Sequence, residues 1–253
     1  MDITRSTALL ATADLRRVVT HLPRDVQSLI KGDRLFVAGG FIRSVVQGEK
    51  PNDIDLFGPD KDKLHELAMK LAISRKSSLH ETDNAFTVLT QGRTPVQFIH
   101  RWLYEDAARL IHEFDYTIAR AVVWWNANAE RWTSLCDQDF YADVAAKRLV
   151  YCRPERAEDA GGSLMRARKF LARGYFISAH DLGLVVHRLV SKIDFESTTR
   201  LGNLERVIIG LLREVDPLTV VDGIDLADEH ASVPVEQASG DEEPVTNAEK
   251  AIP

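Results

Sequence analysis

The stretch from Phe36 to Phe57, FVAGGFIRSVVQGEKPNDIDLF, constrains this chain more than any other. An apolar run ends in the pair Gly39-Gly40. After a gap of twelve residues, two carboxylates, Asp53 and Asp55, flank one isoleucine. The pattern predicts a short buried strand, Leu35 to Ala38, and a helix over 41–47 ended by Gly48. A turn at Pro51-Asn52 then leads into a second strand, Asp53 to Phe57. Side chains two apart in a strand share a face. Asp53 and Asp55 therefore project together, while Ile54 and Leu56 point into a core. Two adjacent carboxylates repel unless a cation sits between them, and Mg²⁺ takes hard oxygen ligands, substrate phosphates included. The glycines allow a tight turn and leave room for a phosphate at the following helix N-terminus. The residues alone read as a metal-dependent phosphoryl-transfer site with Asp53 and Asp55 as metal ligands.

The flanking sequence predicts how that segment is housed. Residues 5–31 carry apolar positions at helical spacing, Leu9, Leu10, Leu15, Val18 and Val19 among them, which makes one or two helices. Pro59 to Ser74 is a further helix, with Leu64, Leu67, Ala68 and Leu71 on one side. Ala85 to Leu89 and Pro95 to Ile99 are strand-like, and Gln91-Gly92-Arg93 is a hairpin connection. Tyr104 to His112 is helical. Tyr116 to Trp124 is open between strand and helix, because apolar residues dominate it. Residues 153–162 read as a loop, Leu164 to Leu171 as a basic helix, and 180–193 and 203–213 as amphipathic helices. The expected class is α+β: a mixed sheet with flanking helices over 1–152, a small helical part over 153–228, and a disordered acidic tail over 229–253.

At 253 residues the chain buries a substantial core. No apolar run approaches the roughly 20 residues that span a bilayer, and no secretory signal is evident, so a cytoplasmic protein without a membrane partner is expected. Cys136 and Cys152 lack metal-site spacing and are expected as free thiols. The formal charge of −6 misleads. From Asp222 onward there are nine acids and one lysine, which leaves about +2 for residues 1–221. Such a body is not steered strongly toward nucleic acid.

The glycine pair, the gap and the Asp-x-Asp strand together resemble the nucleotidyltransferase superfamily typified by DNA polymerase beta. The closer likeness is to the head domain of bacterial-type tRNA CCA-adding enzymes and poly(A) polymerases, carried by Gly39-Gly40-Phe41-Ile42-Arg43 and Asp53-Ile54-Asp55-Leu56. Asp115-Tyr116-Thr117-Ile118 resembles a later segment of that head, and Arg166-Ala167-Arg168-Lys169-Phe170 the helix that begins the neck. The resemblance covers about residues 34–175. It implies a nucleoside triphosphate (NTP) substrate with Mg²⁺ or Mn²⁺, held by Asp53 and Asp55. Gly39, Gly40, Arg43, Arg166 and Lys169 would lie on the nucleotide. A third acid is often supplied by a later strand. The strand Pro95 to Ile99 offers only Gln97, a poor base, so Asp115 is expected as the third catalytic carboxylate, ahead of Asp83.

The chain departs from the CCA-adding pattern where the base is chosen. Glu158-Asp159 is present, but the arginine expected shortly after it falls on Gly162 or Ser163. Glu113-Phe114 replaces an arginine pair, and about fifty residues after the neck are too few for a body that grips tRNA. Strict CCA addition is therefore not expected. The expected activity is transfer of a nucleoside monophosphate from an NTP to a hydroxyl of an RNA 3′ end, a small molecule or a protein. The competing expectation is a catalytically inactive nucleotide- or RNA-binding protein on the same fold. Trp124, Trp125 and Trp132 are expected to pack the helical part against the head. His112, His180 and His187 are scattered without ligand spacing.

Overall fold

The structure, a computed structural model, describes residues 6–152, 160–191, 193, 195 and 204–213. The expected acidic tail lies outside them, as do Glu158 and Asp159. A short strand β1 (Thr7–Ala8) precedes two helices, α1 (Thr12–His21) and α2 (Arg24–Asp33), in line with the helical spacing of 5–31. Their apolar stripe buries Val18, Val26, Leu29 and Ile30. The motif follows as β2 (Phe36–Ala38), α3 (Gly40–Gln47) and β3 (Ile54–Phe57). Helix α4 (Lys61–Arg75) is capped by Asp60, whose side chain accepts from the Lys63 amide at 2.7 Å. Next come β4 (Ser78–Glu81), β5 (Ala85–Leu89), β6 (Val96–Ile99) and the six-residue α5 (Ala107–His112).

The ambiguous segment from Tyr116 resolves into a 3₁₀ turn (Thr117–Ala119) and a strand β7 (Ala121–Asn126). Its β-branched and aromatic residues are held between two neighbours. One of these is β8 (Arg131–Asp137). Helix α6 (Phe140–Ala145) and strand β9 (Arg148–Leu149) close this part. Helix α7 (Ala160–Ala172) starts before the expected end of the 153–162 loop. Strand β10 (Phe176–Ile177), which pairs with β9 in parallel, α8 (Ala179–Val190) and α9 (Leu204–Arg213) follow.

Eight strands form one mixed sheet in the order β1-β8-β7-β2-β3-β6-β5-β4. Only β3 and β6 run parallel; the other pairs are antiparallel. The period-2 alternation sorts the side chains onto two faces. One face carries Val37, Ile54, Leu56, Phe86, Val96, Phe98 and Val123 into the main core, with buried residues of α1 to α4. The other carries Phe36, Ala38, Phe57 and Val122 into a smaller core with Leu110 and Ile111 of α5. Beside it, on that second face, lie the carboxylate of Asp55, Gln97 and Thr87, in register across β3, β6 and β5.

The main core continues past residue 152. Ala167, Phe170, Tyr175 and Val185 belong to the same cluster as Val45 and Tyr116. Tyr116 meets Phe170 edge-on, with centroids 6.3 Å apart, and Tyr151 at 5.8 Å. These rings, and not the tryptophans, make the junction. Trp124 packs on Phe36 in the smaller core, while Trp125 and Trp132 meet across β7 and β8, with the Lys31 ammonium 4.4 Å from the Trp125 centroid. Gly161 has a packing reason: a Cβ there would lie 2.1 Å from the Leu211 carbonyl oxygen of α9. Among the described residues no helix is long and apolar enough to cross a membrane. Both cysteines are free, as expected, and burial pushes the Cys136 thiol up to about 11.

Candidate active site

The site is built at the turn between β2 and α3. Gly39 has φ +79°, and its amide donates to the Ala121 carbonyl at 3.0 Å. The positive φ favours glycine, and a Cβ at Gly39 would meet the Phe114 ring at 3.1 Å, so the ring would have to give by a few tenths of an ångström. Gly40 opens α3 and lines a cavity of about 340 Å³; Gly39 lies behind it against Phe114. Asp53 and Asp55 line the same cavity, half-buried, while Ile54 and Leu56 are buried behind them as the alternation predicts. Gln97 faces the cavity from β6 as the direct register partner of Asp55.

Arg43 comes from the first turn of α3. It is 5% exposed, and its guanidinium lies 4.8 Å from the Phe170 centroid, a cation–π contact with α7. Burial pulls its pKa down, and the charge of Asp53 is among those that oppose the shift. Asp115 is also on the cavity wall but is 3% exposed, and its carboxylate accepts a charge-assisted hydrogen bond from Arg166 Nε. Its backbone carbonyl accepts from the Cys152 amide at 2.7 Å. Among the described residues no three side chains of His, Cys, Asp or Glu converge to hold a metal ion. Asp115 therefore does not join Asp53 and Asp55 in a three-acid cluster; it is engaged by Arg166 of α7. Asp83, His112, His180 and His187 are not on the cavity wall.

Helix α7 presents Gly162, Met165, Arg166, Lys169 and Phe170 to the cavity, at steps of three and one that mark a single helical face, and Arg173 follows from the turn just after it. Arg166, Lys169 and Arg173 thus line the same cavity as the two aspartates, whereas Arg168 is exposed and off its wall. The two positions where the base-reading arginine is expected fare differently. Gly162 lines the cavity and brings no side chain. Ser163 is wholly buried: its carbonyl accepts from Tyr116 Oη at 2.6 Å and its Oγ from Arg188 Nη1 at 2.7 Å.

A family model described as "Gabija anti-defense 2 family protein" matches residues 11–147, more than half of the chain. The chain belongs to the Gabija anti-defense 2 family. No curated protein sequence matches this family member significantly. Its fold is that of the nucleotidyltransferases, by likeness to solved structures of low identity. A Thermotoga maritima CCA-adding enzyme complexed with tRNA aligns with TM-score 0.53 and 19% identity, over 82% of this chain and 49% of that one. A CCA-adding enzyme with CTP aligns with TM-score 0.52 and 18% identity, over 82% and 49%. A tRNA-processing enzyme in an apo form aligns with TM-score 0.50 and 17% identity, over 79% and 59%. The chain spans about half the length of the first two structures it matches.

The donor set in this Gabija anti-defense 2 family member suits a hard divalent cation that arrives with phosphate. Asp53 and Asp55 supply two carboxylates, Gln97 a neutral amide oxygen, and Mg²⁺ in such sites takes one or two carboxylates and completes its shell with phosphate oxygens and water. A further wall of the cavity, missed by sequence reasoning, is apolar. Phe57, Ile99, Trp102, Tyr104, Leu110 and Phe114 line it. Phe57 is two residues beyond Asp55 and Ile99 two beyond Gln97, so the β-period held the signal for those two. Trp102 and Phe114 arrive from outside any strand and carried none.

Proposed function

We propose that this chain transfers a nucleoside monophosphate from an NTP to an acceptor hydroxyl and releases pyrophosphate. The observation that carries the reading is the pair Asp53 and Asp55 from the sheet, sharing one cavity with Arg166 and Lys169 of α7 and with Arg173 just after it. Acids from the sheet and cations from α7 and the turn after it, around one cavity, suit a triphosphate that bridges the two. Mg²⁺ held by Asp53 and Asp55 would neutralise phosphate charge and polarise the attacking hydroxyl. Gly40 lets the backbone approach a phosphate at the start of α3. Arg43, fixed by Phe170, and Arg166, fixed by Asp115, stabilise charge on the phosphates and on the leaving pyrophosphate. The acceptor oxygen bonds to the α-phosphorus as the bond to pyrophosphate breaks, and the hydroxyl proton passes to solvent.

Neither position expected for a base-reading arginine offers a side chain to the cavity, so the reading includes weak selection among bases. The acceptor is an RNA end, a small molecule or a protein. The family's name suggests that transfer acts against a defense by modifying one of its components. A second reading, nucleotide binding without turnover, draws support from Gln97 in place of an acid and from the engagement of Asp115 by Arg166. Titration of ATP with and without Mg²⁺, followed by incubation of α-labelled NTPs with RNA, protein and metabolite acceptors, separates the two. Transfer of label supports the enzyme; metal-dependent binding with no transfer supports the second reading.

A further inference from the structure

We propose that the apolar wall beside Asp55 is the acceptor subsite, and that it takes a phenolic hydroxyl, the side chain of a tyrosine. The inference rests on the nucleotidyl-transfer reading above. On β3, Asp55 and Phe57 share one face, and with a rise of about 3.3 Å per residue the aromatic ring stands roughly 7 Å beyond the carboxylate. Phe57 meets both Tyr104 and Phe114 edge-on, each at 6.1 Å between centroids. Ile99, the register partner of Phe57, and Trp102 complete the wall, and both are only half-buried, so apolar surface faces the cavity. Flat rings at such spacings favour a further ring in edge-to-face or offset contact.

Charge separates this lobe from the nucleotide side. The cations on the cavity wall, Arg43, Arg166, Lys169 and Arg173, come from α3, α7 and the turn just after α7, whereas the charged residue between Leu110 and Phe114 on that wall is Glu113. Arg101 lies near the lobe, 4.8 Å from the Trp102 centroid, but donates to Asn84 Oδ1 at 3.0 Å and is not on the wall. A polynucleotide end would bring phosphates to the side that carries an acid. A neutral ring with its hydroxyl attached directly brings none, and it sets the reacting oxygen next to Asp55 while the ring is held by Phe57, Trp102 and Phe114. The phenolic oxygen then bonds to the α-phosphorus, pyrophosphate leaves with the bonding electrons, and the phenolic proton goes to solvent. The products are a tyrosyl nucleotide ester and pyrophosphate.

The test uses the full chain with Mg²⁺ and a non-hydrolysable ATP analogue, and measures binding of N-acetyl-tyrosinamide by saturation-transfer NMR. Binding is expected, weakened at least tenfold in Trp102→Ala and restored in Trp102→Phe, with affinity for the ATP analogue changed less than twofold. With α-labelled ATP, a tyrosine peptide is expected to take label in preference to the same peptide with serine and to an RNA oligonucleotide. No phenol binding, equal binding by Trp102→Ala, or preferred labelling of RNA or serine overturns the proposal. Loss of Mg²⁺-dependent ATP binding in the unsubstituted chain would instead overturn the nucleotidyl-transfer reading beneath it.

Discussion

Asp55 and Gln97 stand directly opposite each other in the parallel ladder between β3 and β6, on the face that lines the cavity. The strand beside the aspartate pair thus offers an amide where a carboxylate would complete a second metal shell. Ligand charge tunes divalent affinity. Gln97→Glu is therefore expected to tighten Mn²⁺ binding by about tenfold, while Gln97→Ala costs transfer less than about tenfold, since a neutral oxygen is the weaker ligand. Isothermal titration with Mn²⁺ and labelled-NTP transfer read both outcomes.

The pair of Asp115 and Arg166 makes a different prediction. Arg166 is expected to act on the nucleotide and Asp115 to hold it in place. Arg166→Ala should raise the KM for NTP roughly tenfold, the scale of one charged hydrogen bond. Asp115→Asn should give a similar rise, and the double variant little more than either, because coupled sites are not additive. Additive losses in steady-state kinetics would show that Asp115 acts separately from Arg166.

Gly39 allows a folding prediction. Gly39→Ala places a residue at φ +79° and a Cβ 3.1 Å from the Phe114 ring. The expected cost is about 1–3 kcal/mol in urea unfolding. Gly39→Ala with Phe114→Leu should recover the steric part only, since the dihedral strain stays.

His100 gives a pH dependence. It is buried, its Nε2 lies 3.1 Å from the Thr82 carbonyl, and burial holds its pKa below the ordinary 6.5. The unfolded chain takes up a proton as pH falls through about 6.5, whereas the folded chain does so only at lower pH. This contribution to stability is therefore complete above about 6.5 and falls as pH drops toward the depressed value. Thermal unfolding between pH 7.5 and 5 should show a shallower decline in His100→Gln than in the parent chain.

The motif and its two aspartates were legible because each step is local. A glycine pair ends an apolar run, and an alternating Asp-Ile-Asp-Leu strand fixes which side chains share a face. Strands β4 and β8 were less legible. Ser78 to Glu81 is a mostly exposed edge strand, and Arg131 to Asp137 is polar along much of its length, so neither displays an apolar run. Tyr116 to Trp124 hid its state because β7 is apolar on both faces, one in each core. The engagement of Asp115 could not be read at all. Its partner lies 51 residues away on another element, and no local pattern encodes that approach. The aromatic lobe shares this origin, since Trp102 and Phe114 meet Phe57's surroundings only in three dimensions.

The central claim is that Asp53 and Asp55 form a metal-dependent nucleotide site. The most direct measurement is ATP binding with and without Mg²⁺ for the parent chain and for Asp55→Asn, with circular dichroism as the check on folding. Binding that Mg²⁺ strengthens by tenfold or more in the parent, and that loses this dependence in a folded Asp55→Asn, is the predicted result. Equal, metal-independent binding by both proteins would contradict the account.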